Sequence, residues 1–338
     1  MVPALAVADA LRADGCEVVF LGGERAEREL VPAAGYELRT IAVEGISRSN
    51  PLKAARAIGK AAAGVLAARR ILGELRPHAV MGGGGYVAGT VGAAAALKRI
   101  PLVLTEADSH LGVSNRALAR FARRVCLAFP LDGRDGERYR VTGRPVPPPA
   151  RDLAAARKRF GIADGERVVL VFGGSLGARS INGAALEAFA SPPAPGVRIL
   201  HAAGRRDFDR LRAPAGHYDL RPYVDRFGEA LLAADLVVAR SGGSIFEIAA
   251  HGKPAILIPY PHAAADHQTA NARWMERGGA AVVVPDGELT AQRLADEVGA
   301  LLGDRERLAA MAAASAALAR PDAAQAIAAE LIAAARGG

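Results

Sequence analysis

Three glycine-rich stretches hold the residues best suited to chemistry in this 338-residue sequence. GGSLGA at 173–178 follows the apolar run VVLVF and opens a helical stretch that carries Arg179 and Asn182. Glycine lets a backbone approach a ligand closely, and free N–H groups at a helix N-terminus attract an anion, so such a loop can cradle a diphosphate. The same residues also make a tight strand-to-helix turn with no ligand. RSGGS at 240–244 again follows an apolar run, LVVA, and opens a helix carrying Glu247. A carboxylate one turn inside such a helix can accept hydrogen bonds from both hydroxyls of a ribose. The third cluster, GGGGYV at 82–87, precedes the Ala-rich run GTVGAAAAL and fits either a second phosphate-bearing ligand or close packing of a helix on a sheet.

Polar side chains follow other apolar runs. PHAAADHQTAN at 261–271 comes directly after AILIP, where a parallel sheet presents ligands with sugar-binding groups. Glu106 and Asp108 come directly after PLVLT, and either carboxylate can act as a general base; capping of the next helix by Asp108 or Ser109 is the alternative. The two cysteines, Cys16 and Cys126, stand far apart and outside any Cys/His cluster, so neither a zinc site nor a disulfide framework is indicated.

Loops of this kind need parallel strands to present them. Short apolar runs at 17–21, 38–43, 78–81, 101–105 and 125–128 alternate with Ala-rich helical stretches, and the pattern restarts at 168–172, 197–200, 236–239, 255–259 and 281–285. That alternation predicts an α/β chain with two Rossmann-like, doubly wound domains. GRPVPPPARD at 143–152 forbids helix and marks the connector. The expected division is an N-terminal domain over 1–147, a C-terminal domain over 148–321, and a helix over 322–338 that crosses back to the first domain. No apolar run reaches the ~20 residues of a spanning helix. A formal charge of +8 suits an anionic partner, but aromatics at 5% are too scarce for a single-strand stacking platform, so nucleic acid is not the expected partner. The stretch 52–75, with Lys53, Arg56, Lys60, Arg69 and Arg70 among apolar residues, fits docking on anionic lipid or ordinary packing on the sheet.

Together and in this order, GGYVAG at 84–89, GGSLGARSIN at 173–182, RSGGSIFEIAAHGKPAILIPYP at 240–261 and HAAADHQTANA at 262–272 resemble the MurG family of UDP-GlcNAc:lipid I transferases. The likeness spans almost the whole chain. It implies a GT-B-like fold whose two domains face a cleft, and an inverting transfer of GlcNAc from UDP to the muramyl 4-hydroxyl of undecaprenyl-diphospho-MurNAc-pentapeptide, lipid I. The implied setting is peptidoglycan synthesis at the cytoplasmic face of the cell membrane, by a peripheral protein without metal or other cofactor. On the donor side the resemblance assigns Gly174, Ser175 and Gly177 to the diphosphate and Glu247 to the ribose. Tyr223 and Val224 go to uracil, Arg240 and Ser241 to the border of the nucleotide, and His267 and Gln268 to the GlcNAc hydroxyls, with Asn182 near the donor. On the acceptor side it assigns Gly84, Gly85, Tyr86 and Asn115, with Glu106 and Asp108 as candidate bases.

The sequence departs from the family pattern in places. HEQNG is replaced by TEADS at 105–109, Pro147 stands where an arginine is usual, and the loop before Glu247 is one residue shorter. The chain opens on a helical stretch, VPALAVADALRADG, where the family has a strand and a GGTGGH-type loop; a start codon assigned too late is the expectation. Alternatives are another glycolipid transferase of this fold, a UDP-GlcNAc 2-epimerase, or an inactive truncated form.

Overall fold

Apolar side chains on both faces of a parallel strand demand cover on both faces of the sheet. In the computed structural model, which describes residues 1–338 apart from 24–26, 42–50, 175–176, 215 and 338 and leaves out the side chains of 51–61 and 264, the chain meets that demand twice. It divides into two units, Met1–Val146 with Arg320–Gly338, and Pro147–Ala319.

The first unit runs α1 (Val2–Ala13), β1 (Val19–Gly22), α2 (Glu27–Ala33), β2 (Glu37–Thr40), α3 (Pro51–Leu75), β3 (Val80–Gly82), α4 (Gly85–Leu97), β4 (Leu102–Glu106), α5 (Val113–Leu118), β5 (Arg124–Leu127) and β6 (Tyr139–Val141). Strands β3, β4, β5 and β6 pair in that order, all parallel, while β1 and β2 form a separate parallel pair. Period-two alternation sorts the side chains. Leu102, Leu104, Val125 and Leu127 enter one core with Leu72, Val91 and Leu118. Val103 and Cys126 point the other way, into a core with Val7 of α1 and with Ile327 and Leu331 of the C-terminal helix (Ala323–Arg336). An Arg124–Glu330 ion pair of 2.9 Å joins that helix to β5. Burial pushes the Cys126 thiol up to about 12, which removes it as a nucleophile.

The second unit runs α6 (Leu153–Arg159), β7 (Arg167–Phe172), α7 (Arg179–Ala188), β8 (Val197–Ala202), β9 (Tyr218–Arg221), α8 (Phe227–Ala233), β10 (Leu236–Ala239), α9 (Ile245–Ala250), β11 (Ala255–Leu257), α10 (His267–Arg277), β12 (Ala281–Val283), α11 (Ala291–Gly303) and α12 (Arg305–Leu318). Its six parallel strands lie in the order β12-β11-β10-β7-β8-β9. The chain therefore builds outward from β7 to β9, returns to β7's other side, and builds outward again from β10 to β12. That reversal is the switch point of a Rossmann sheet. Strands β6 and β9 were not foreseen, because YRV and YDLR are polar edge strands without an apolar run.

Within the proline-rich segment, Ala150 is bonded to His251 of the second unit. Ala150 N donates to Nε2 of His251 (3.2 Å), while Nδ1 of the same ring donates to the Glu247 carbonyl (2.8 Å). Both bonds require the neutral ring with its proton on Nδ1. Burial lowers the His251 pKa, Lys253 lowers it further, and the bond to Glu247 opposes them. Because the folded value lies below the unfolded one of about 6.5, the unfolded chain binds this proton first. The contribution is complete above about pH 6.5 and is lost as the pH falls below it. Urea melts of the full chain from pH 7.5 down to 5 are expected to show a steeper loss of stability for the wild type than for His251→Phe; equal slopes would refute the assignment.

Candidate functional site

Parallel strands place all their carboxyl ends at one edge of the second unit, and the loops after β7 and β10 leave that edge toward opposite sides. The space they open is bordered by the first two glycine motifs. Gly174 and Gly177 both adopt positive φ, +95° and +80°. A Cβ on Gly177 would lie 2.1 Å from the Ala203 carbonyl oxygen, and one on Gly173 would lie 2.4 Å from the Ala178 Cβ; around Gly174 there is open space. The loop is thus pressed against the end of β8 at one glycine and free at another. Helix α7 starts at its end with no side-chain cap, so its first-turn N–H groups are available to an anion. Ser175 lies outside the described residues.

Asn182, expected near the donor, and Arg240, expected at the border of the nucleotide, both have their polar groups engaged in the interior. Asn182 is buried, its Nδ2 donates to the Ala203 carbonyl (2.9 Å), and its Oδ1 stands 3.1 Å from Nε2 of His201. Both ends of the amide are engaged in the interior, which makes Asn182 a support for the loop. Arg240 is buried too. It donates to the carbonyls of Ile258 (3.1 Å) and Pro259 (3.0 Å) and to the Ser180 hydroxyl (2.8 Å), and it pairs with Asp286. Ser180 closes the circuit by donating to Asp286 (2.6 Å). The guanidinium fork therefore clamps α7, the ends of β10 and β11, and the segment after β12. Ser180, although inside the 173–182 motif, and Asp286 were given no role in the sequence reading, because their bond to each other and to Arg240 joins segments more than 40 residues apart.

Ser241 is fully buried; its hydroxyl donates to the Gln268 carbonyl (2.7 Å) and its own carbonyl accepts from Asn271 (3.0 Å). The Gln268 side chain accepts from Tyr260 N (3.0 Å), with its amide nitrogen 3.8 Å from where a Cβ on Gly242 would stand. Ser241 and Gln268 are thus brought into one cluster. Just before them Ala265 and Asp266 are both left-handed, at φ of 51° and 52°, a conformation that costs roughly 1–2 kcal/mol for a residue with a Cβ. Strain of this kind concentrates where side chains are being aimed, here His267 and Gln268 at the start of α10. Glu247 stands in the first turn of α9. After β9, Val224 is buried and Tyr223 exposed, with the Arg205 guanidinium 4.8 Å above its ring.

In the first unit, the Gly84 and Gly85 turn has positive φ at both residues, 81° and 78°, and leads into α4. The Ser114 hydroxyl donates to the Gly85 carbonyl (3.0 Å), and a Cβ on Gly84 would lie 3.7 Å from the Asn115 amide nitrogen. That nitrogen donates to Glu106 Oε2 (2.9 Å) and to the Thr105 carbonyl (2.9 Å). Gly84, Gly85, Glu106 and Asn115 therefore form one cluster, with Tyr86 exposed beside it. Glu106 is buried, and its carboxylate also accepts from Gly112 N (2.8 Å) and Asp108 N (3.2 Å). Both oxygens are engaged in ordering the loop after β4, which argues against the general-base role expected for Glu106. The Asp108 carboxylate has no hydrogen-bond or ion-pair partner among the described residues and is partly exposed. Farther along α4, a Cβ on Gly89 or Gly92 would fall 2.8 Å from the Ser114 hydroxyl or 2.5 Å from Leu118, so these glycines serve close packing on α5.

The chain, two Rossmann-like units with glycine loops at the reversal of the second sheet, belongs to glycosyltransferase family 28. Residues 1–127 match the glycosyltransferase family 28 N-terminal domain and residues 168–327 its C-terminal domain. The UDP-N-acetylglucosamine--N-acetylmuramyl-(pentapeptide) pyrophosphoryl-undecaprenol N-acetylglucosamine transferase of Moorella thermoacetica is 43% identical over 96% of this chain and 93% of its own length. The transferase of the same name from Rubrobacter xylanophilus is 42% identical over 98% of this chain and 99% of its own. The crystal structure of Acinetobacter baumannii MurG superposes with a TM-score of 0.78 at 29% identity, covering 98% of this chain and 95% of that one. The chain belongs to the MurG family. UDP-GlcNAc 2-epimerase from Neisseria meningitidis shares the fold, with a TM-score of 0.68 at 14% identity.

Gly177 and Gly174 separate two demands on one loop. Gly177→Ala meets a carbonyl as well as an unfavourable φ and is expected to cost more than ~2 kcal/mol, whereas Gly174→Ala meets only the φ penalty of about 1–2 kcal/mol. Thermal and urea denaturation of the two variants tests this; equal losses would show that the contact with Ala203 carries no weight.

Proposed function

We propose that this chain transfers N-acetylglucosamine from UDP-GlcNAc to the muramyl 4-hydroxyl of undecaprenyl-diphospho-MurNAc-pentapeptide, forming lipid II. The observation that carries the reading is the pair of glycine loops at the switch point of the second sheet, in a chain with full-length likeness to transferases of that name. The second unit is read as the donor domain and the first as the acceptor domain.

In this reading the UDP diphosphate lies on the loop over 173–178, facing the first-turn N–H groups of α7. Those dipoles stabilise the charge that grows on the leaving diphosphate without having to reorient. Glu247 takes the ribose hydroxyls, the backbone around Tyr223 and Val224 takes uracil, and His267 and Gln268 take the GlcNAc hydroxyls. Arg240, Ser241 and Asn182 act on the donor through the loops they hold. The reaction is one displacement: the 4-hydroxyl oxygen bonds to the anomeric carbon, the bond to the β-phosphate oxygen breaks, and the hydroxyl proton passes to a base. The configuration inverts. On the acceptor side, Gly84, Gly85 and Tyr86 take the acceptor's diphosphate and sugar. The Asn115 Oδ1, buried without a hydrogen-bond partner among the described residues, suits a ligand hydroxyl or amide there. Asp108, whose carboxylate is uncommitted, is the better-placed base.

The undecaprenyl chain of such an acceptor confines the work to a bilayer surface. No helix among the described residues is long and apolar enough to cross a membrane, so the contact is read as peripheral, at the cytoplasmic face. On α3, Leu66, Arg69 and Arg70 are exposed, which supports docking on anionic lipid. The side chains of Lys53, Arg56 and Lys60 lie outside the described residues.

The decisive assay supplies UDP-GlcNAc with and without lipid I. Transfer is expected only with the lipid, and turnover of the nucleotide sugar without it would point to the epimerase class instead. Asp108→Asn is expected to lower kcat by about 100-fold with the KM for UDP-GlcNAc unchanged, the range of a lost general base. Glu106→Gln is expected to raise the KM for lipid I and lower stability, through the loop it orders. The reverse pattern would return the base to Glu106.

A further inference from the structure

Strand β8 reads VRILHA, and its histidine is wholly buried, 0% exposed, in a strand whose other interior positions are apolar. Nothing in the reaction requires a polar group there. A buried ring nitrogen without a partner costs roughly 1–3 kcal/mol. Here both nitrogens are partnered: Nδ1 stands 2.7 Å from the Tyr218 hydroxyl on β9 and Nε2 3.1 Å from Asn182 Oδ1 on α7.

The proton positions follow from one end of the chain. Asn182 Nδ2 donates to the Ala203 carbonyl, so its Oδ1 is an acceptor and His201 Nε2 must carry the proton. Nδ1 is then the acceptor of the Tyr218 O–H. Of the two neutral tautomers only the Nε2–H form satisfies the whole series. Burial favours the neutral form, lowering the His201 pKa to about 4. The far end of the series is the Ala203 carbonyl, the surface against which Gly177 rests, and Ala203 N is tied to the Arg221 carbonyl at 2.9 Å.

We propose that His201 is a positioning residue for the donor: through Asn182 it holds the Ala203 carbonyl in the one place that sets Gly177, and hence the loop over 173–178, for a nucleoside diphosphate. This rests on reading that loop as the diphosphate site. His201 touches no reacting atom; its effect is on donor affinity and not on the chemical step.

The test measures UDP binding by titration calorimetry and initial rates with UDP-GlcNAc and lipid I on the full chain. His201→Phe fills the volume but ends the series. It is expected to raise the Kd for UDP and the KM for UDP-GlcNAc about tenfold, the equivalent of one lost buried hydrogen bond. The kcat and the KM for lipid I should stay within about threefold. His201→Gln, which keeps an amide donor for Asn182, is expected to restore most of the affinity. If His201→Phe binds UDP as the wild type does, or loses kcat and both KM values alike, the proposal is wrong. Should His201→Phe fail to fold, Tyr218→Phe and the nitrogen-15 spectrum of the wild-type imidazole decide. A raised Kd for UDP in Tyr218→Phe with an Nε2–H signature supports the proposal, and an Nδ1–H or doubly protonated ring at pH 7 overturns it. A wild-type chain that fails to bind UDP overturns the donor reading itself, a result distinct from normal binding by the variant.

Discussion

Much of the second unit depends on the reversal of strand order between β7 and β10. In a parallel sheet every strand must be followed by a crossover, and right-handed crossovers that build first to one side and then to the other leave the two central loops diverging. The loop after β7 takes its place there only because Gly177 can lie against a carbonyl where no other residue fits. The loop after β10 does so because Ser241 and Gln268 bind it to the start of α10.

Beneath these loops lies a layer of buried polar groups. The Arg240 clamp on Ser180 and Asp286, and the series from Tyr218 through His201 and Asn182 to Ala203, place charged and polar groups where apolar packing would be simpler. Buried polar groups of this sort contribute little net stability but strongly penalise any arrangement that leaves them unpaired. Their consequence is geometric: the loops have one well-defined place. In the first unit Glu106 does similar work. Its carboxylate gathers three donors from the following loop and helix, whereas the Asp108 carboxylate has no partner among the described residues.

Helix and strand glycines that look alike in sequence divide by function once the packing is known. Gly84 and Gly85 shape a turn, Gly89 and Gly92 let α4 approach α5, and Gly82 stands within 2.9 Å of Leu104 if given a Cβ. A run of glycines states that a Cβ is unwelcome, without saying whether a backbone turn, a close neighbour or a ligand is the reason.

The sequence by itself determined the two-domain α/β class, because continuous apolar runs such as VVLVF and LVVA are stable only in a sheet covered on both faces, and the runs recur with helical stretches between them. It also determined the motifs, since glycines and a carboxylate at set distances from a strand end report local geometry, and their joint order carried the family resemblance. Edge strands β6 and β9 were illegible because YRV and YDLR are only three and four residues long and set single apolar residues beside charged ones, so neither forms a continuous apolar run. What each polar side chain does was decided by the tertiary structure alone. Asn182 and Arg240 turn inward because partners distant in sequence, His201 and Asp286, meet them only when the strands are assembled, and Glu106 does so because the loop after β4 folds back to bring Gly112 and Asn115 onto its carboxylate. A hydrogen-bond partner is a property of space, and residue spacing along a chain does not encode it.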